Sequence, residues 1–167
     1  MSALRRGLLG VLLCAAVTAC GTVAAAGTPK LPSRILPQSI DGYTVHEEVS
    51  ARTQFDVSRT QVAEGRLFTM RANGAVYAAL QVATLRADLD TTDVDVQQDI
   101  RKQIGSGGFR YYRVAGQWIG DQQRPDVHLF VWFPDASPGV FEVLTVSNQL
   151  SDPVSFVGSL IGFQEGR

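Results

Sequence analysis

Two periodicities alternate along the chain. Within residues 75–85, Val76, Ala78, Leu80 and Val82 occupy every second position, with Tyr77, Ala79, Gln81 and Ala83 between them. Period two marks a strand, and because both sets are small or apolar the strand is expected to be central and covered on each side. Residues 67–71 form a strand before it, and Asn73-Gly74 stands between the two. Asn and Gly tolerate positive φ at both positions of a two-residue type I′ turn, so the pair predicts a hairpin. Ile40-Asp41-Gly42-Tyr43 reads as a turn feeding a short strand, while residues 47–63 are polar and weakly patterned.

A helical period follows. Val96, Ile100 and Ile104 recur at i, i+4 and i+8 as a narrow apolar stripe. Thr92 is the expected N-cap, with Asp95 three residues on, and Asp93 and Asp95 suit the positive end of the helix dipole. Arg101 and Lys102 suit the last turn, and Gly105 the C′ position. Strand character returns at 109–114, 117–120, 127–133 and 140–147, the last two joined by a Pro- and Gly-containing loop at 134–139. A final helix is expected from Ser151 or Asp152, with Pro153 at its first position, burying Val154, Val157, Leu160 and Ile161. Mostly strands, with one helix inserted and one at the end, predict a single α+β domain over residues 37–167: an antiparallel or mixed sheet with two helices packed on it.

The first 19 residues belong to another pattern. Arg5 and Arg6 precede an apolar run at 8–17, which ends in Thr18, Ala19 and Cys20. A basic start, an apolar stretch and a small-residue exit are the layout of a secretory signal, and the run is too short to span a bilayer. Val17-Thr18-Ala19-Cys20 resembles the lipobox of bacterial lipoprotein precursors. The resemblance implies removal of residues 1–19 and a lipidated Cys20 at the new N-terminus. Two or three acyl chains on one residue hold a protein stably to a membrane where one does not. Residues 20–36, rich in Ala, Gly, Thr and Pro, then read as the lipidated start and a flexible tether.

Composition acquires meaning after this division. The precursor of 167 residues has 15 basic and 16 acidic residues; losing Arg5 and Arg6 leaves 13 against 16, a net charge of −3. That balance gives no basic surface for nucleic acid, and anchoring falls to the lipid. Cys14 leaves with the signal and Cys20 is lipidated, so no thiol is left for a disulfide, a metal or a nucleophile.

No catalytic constellation emerges. Asp88, Asp90, Asp93, Asp95 and Asp99 have some spacings of a calcium loop, but Asp93 stands where the loop needs glycine and Asp99 where it needs Glu. Gly105-Ser106-Gly107-Gly108 follows a helix, the reverse of the order in phosphate loops. His128 shares strand parity with Phe130 and Trp132 and reads as a packing residue, and His46 has no second histidine at metal-ligand spacing. No cofactor and no metal are expected. The feature with binding potential is aromatic and basic together: Arg110, Tyr112, Arg113, Trp118 and Trp132 are candidates to line a ligand groove in which arginines clamp an anionic group.

Gly65-Arg66-Leu67-Phe68, Ala79-Leu80-Gln81-Val82-Ala83, Val131-Trp132-Phe133-Pro134 and Ile161-Gly162-Phe163-Gln164 resemble phrases found in actinobacterial exported proteins and lipoproteins of unassigned function. The element order is similar to small α+β modules of the PsbP and Mog1 kind. The resemblance implies an envelope location and transfers no catalytic residue. The expectation is a lipoprotein on the outer face of the cytoplasmic membrane, a non-catalytic binding or accessory module for an envelope protein complex. The alternative is a carrier or receptor of a small amphiphile or glycan, and a further alternative an envelope hydrolase.

Overall fold

The computed structural model describes Leu31 and residues 35–48, 61–105 and 107–166. Two antiparallel meanders meet edge to edge in one sheet. The first comprises β1 (Ser39–Ile40), β2 (Tyr43–Glu47), β3 (Val62–Ala72) and β4 (Ala75–Leu85). The second comprises β5 (Arg110–Val114), β6 (Gln117–Gln123), β7 (Val127–Trp132) and β8 (Val140–Ser147). The strand order is β1-β2-β3-β4-β8-β7-β6-β5, and every pairing is antiparallel. The chain is therefore of the α+β class, and β4 sits centrally as its two apolar faces predict. Three of its hairpin turns share one backbone signature: φ is +48° and +85° at Asp41-Gly42, +49° and +80° at Asn73-Gly74, and +49° and +86° at Ala115-Gly116. Positive φ at both central residues matches the twist of the flanking strands.

Helix α1 (Val94–Ile104) carries the chain from β4 to the far edge at β5, and α2 (Pro153–Gln164) follows β8. They cover opposite faces. Ile100 and Ile104 of α1 bury against Leu129, Val131, Phe141 and Val143, with Val96 partly buried beside them. Phe156, Val157, Leu160 and Ile161 of α2 bury against Met70, Leu80, Phe130, Trp132 and Leu144. Full burial of each such side chain contributes roughly 1.5–3 kcal/mol, so the helices are held by these stripes more than by intrinsic propensity.

Several local expectations need correction. The N-cap of α1 is Asp93 and not Thr92: the Asp93 side chain accepts a hydrogen bond from the backbone N–H of Asp95. Gly105 closes α1 in an extended conformation (φ −137°) instead of the left-handed one. Its glycine character serves close packing, since a Cβ there would lie 2.8 Å from the Phe109 ring and 2.9 Å from Gln122 Oε1. In α2, Val154 faces solvent and Phe156 takes the buried place. The core also reaches upstream of residue 37: Leu31, Ile35 and Leu36, assigned by sequence to the tether, are buried with the α2-side cluster. Residues 1–19, with the signal reading, and Cys20 lie outside the described residues.

Candidate functional site

Strand parity decides which side chains of the second meander meet α2. In β8, Val140, Glu142, Leu144 and Val146 point to one face, and all four are buried. Glu142 stands across from Val82 of β4 on one side and Trp132 of β7 on the other. A carboxyl group thus occupies a core position. Gln164, the last residue of α2, donates a hydrogen bond from Nε2 to Glu142 Oε2 at 2.9 Å. Burial pushes the Glu142 carboxyl up to about 7, against the smaller lowering effect of the Gln164 bond.

Glu142 lines a cavity of about 640 Å³ between the end of α2, the 134–139 loop and the upstream segment. Its apolar wall comes from Leu31, Ile35, Val82, Trp132, Val140 and Ile161. Among the described residues that line it, the ionisable side chains are the carboxyl groups of Asp135, Glu142 and Glu165. The loop that forms one side is held in place from below. Gln117 Nε2 donates to the Phe133 carbonyl at 2.8 Å, and the Gly139 N–H donates to Thr91 Oγ1 at 2.7 Å. A volume of this size that combines an apolar wall with convergent polar groups is a usual form of a small-molecule site.

The residues proposed from sequence to share one groove do not converge. Arg113 and Trp118 pair across β5 and β6 on the α1 face, with the guanidinium 5.2 Å from the indole. Arg110 and Tyr112 alternate with Arg113 and so point to the α2 face, as does Trp132. Only Trp132 lines the large cavity. Single-residue alternation along β5 is the physical reason: neighbours in sequence are on opposite sides of the sheet.

Arg110 and Tyr112 belong instead to a polar cluster around Asp121, which is buried in β6. Arg110 Nη2 is 3.4 Å from Asp121 Oδ2, and His128 Nδ1 is 3.5 Å from Asp121 Oδ1. Burial, and after it the Asp121 carboxylate, pushes the Tyr112 hydroxyl up to about 12, although that hydroxyl has no well-aligned hydrogen-bond partner. His128 stacks on Phe130 with ring centroids 5.9 Å apart. Among the described residues, no group of three or more His, Cys, Asp or Glu side chains is placed to hold a metal ion, and no helix is long and apolar enough to cross a membrane.

No protein-family model, curated protein or solved structure matches this chain.

Proposed function

We propose that the protein is a non-catalytic binding module, tethered to the outer face of the cytoplasmic membrane through lipid on Cys20, whose cavity receives a small amphiphile with a cationic or hydrogen-bond-donating head. The observation that carries this reading is the buried Glu142 carboxyl beside the apolar wall of a cavity whose described ionisable lining residues are acidic. An apolar tail gains by leaving water against Val82, Trp132 and Ile161, and an ammonium or hydroxyl head pairs with Glu142. This reverses the charge preference inferred from the arginines, which point elsewhere. The PsbP and Mog1 comparison, with its sheet between helices, is compatible with such a module and belongs to the same proposal.

The test is titration of the purified protein with dodecylamine and with dodecanoate below their critical micelle concentrations. Saturable binding of dodecylamine, weakened about tenfold by Glu142→Gln, is the expected result. Equal binding of both probes, or of dodecylamine to wild type and variant, overturns the reading. A protein partner captured without any amphiphile affinity would favour an adaptor role instead.

A further inference from the structure

A second site lies on the α1 face, near the β5 edge. Helix α1 brings Arg101 over the sheet, where its guanidinium lies 5.1 Å from the Tyr111 ring centroid and 4.8 Å from that of Phe133. Its Nη2 donates to Gln97 Oε1 at 3.1 Å, but its Nε is buried with no acceptor. Among the described residues no carboxylate lies within 4.0 Å of it, unlike Arg66, Arg71, Arg86 and Arg110, each of which pairs with an acid. Burial lowers the Arg101 pKa, as expected for a guanidinium withdrawn from water without a counter-ion. Such a charge is costly to hold unless something pairs with it.

The surroundings indicate what that partner is. Arg101 lines a groove of about 270 Å³ together with Gln97, Tyr111, Trp118 and Asp135. Tyr111 and Trp118 are 51% and 54% exposed, large rings left against solvent at the mouth of the groove. One groove therefore offers a cation, an amide, a carboxylate acceptor and an exposed aromatic ring. A simple inorganic anion pairs with the cation but has no hydroxyl to donate to Asp135 and no apolar face for Trp118. A sugar ring bearing a carboxylate uses all four: carboxylate to Arg101, hydroxyl donors to Asp135 and the Gln97 amide, and the C–H face of the ring against Trp118.

We infer that the Arg101–Trp118 groove binds an acidic sugar residue of the hexuronate type. The groove shares Gln117 and Asp135 with the Glu142 cavity, but Arg101, Tyr111 and Trp118 lie on the other face of the sheet from Glu142, and the inference stands whether or not that cavity takes an amphiphile.

Titration of the ¹⁵N-labelled protein with sodium glucuronate, glucose and sodium sulfate tests the inference through the Arg101 Nε–Hε and Trp118 indole N–H signals. Glucuronate is expected to shift both saturably, glucose to shift neither at equal concentration, and sulfate to bind more weakly and leave Trp118 unmoved. Trp118→Ala, at an exposed position, should raise the glucuronate Kd roughly fivefold. Arg101→Lys, which keeps the charge but loses the planar fork, should raise it roughly tenfold, with thermal unfolding confirming that the variant is folded. Glucose binding as well as glucuronate, sulfate binding as tightly as glucuronate, or an unchanged Kd in Trp118→Ala each overturns it.

Discussion

Gln164, at the C-terminal end of α2, donates a hydrogen bond to the carboxyl group of Glu142 in the middle of β8, joining helix and sheet through a side chain buried among apolar neighbours. The folded protein holds a proton on Glu142 up to about pH 7, whereas the unfolded chain releases it near the usual carboxylate value of 4.5. Between those values the native state binds more protons, so stability falls as pH rises through the window and levels off above it. The full fall is at most roughly 3 kcal/mol. Glu142→Gln removes this slope. Urea midpoints at pH 4.5 and 7.5 should differ less in the variant than in wild type, and an identical difference in both would show that Glu142 does not titrate in this range. Glu47 and Glu48 act in the opposite direction and lower down: hydrogen bonds from Arg66 and Thr69 respectively are the largest influences holding them below the ordinary value, so their contribution is lost only as pH falls below about 4.5.

Capping of α1 separates two adjacent residues. Asp93→Ala removes the acceptor for the Asp95 N–H and should cost about 1 kcal/mol. Thr92→Ala should cost less than half as much, since Thr92 takes no capping role in α1. Chemical denaturation of the two variants side by side gives the comparison, and a larger loss in Thr92→Ala contradicts the assignment.

Gly105→Ala tests close packing and not turn conformation. The added methyl meets the Phe109 ring and Gln122, and overpacking of this kind typically costs about 1–3 kcal/mol. Because the backbone there is extended, Gly105→Asn should bring no relief. A stability equal to wild type in Gly105→Ala would mean that Phe109 and Gln122 move aside freely.

What was legible along the chain was whatever a residue states locally. Asp41-Gly42 and Asn73-Gly74 declare their turns by their own backbone preference, and Pro153 after Asp152 declares a helix start. Ala115-Gly116 makes the same turn, but alanine at φ +49° carries no signal in composition, so residues 110–123 did not announce a hairpin. Site residues were less legible because they depend on pairing between distant strands. Glu142 interrupts an apolar run, and its parity with Val140, Leu144 and Val146 was the available clue that it is buried. That it faces Trp132 and meets Gln164 follows only from the order of the strands and the return of α2. The arginines misled for the complementary reason, since proximity along β5 places Tyr112 and Arg113 on different faces.

Cys20→Ser should move the protein from the membrane to the soluble fraction, as fractionation of cells expressing either form would measure. Unchanged membrane association excludes the proposed lipid anchor.

Leu31 and Ile35 are both part of the core and part of the cavity wall. If Cys20 carries the proposed lipid, 11 positions before Leu31, a chain of that length spans at most about 40 Å. That is close to the diameter of a domain of this size. Under that proposal the anchor joins the folded body at Leu31, in the wall of the Glu142 cavity, so a pull from the bilayer would be delivered to that wall. The proposed amphiphile would then be drawn from the adjacent leaflet, a two-dimensional reservoir, in place of the surrounding fluid.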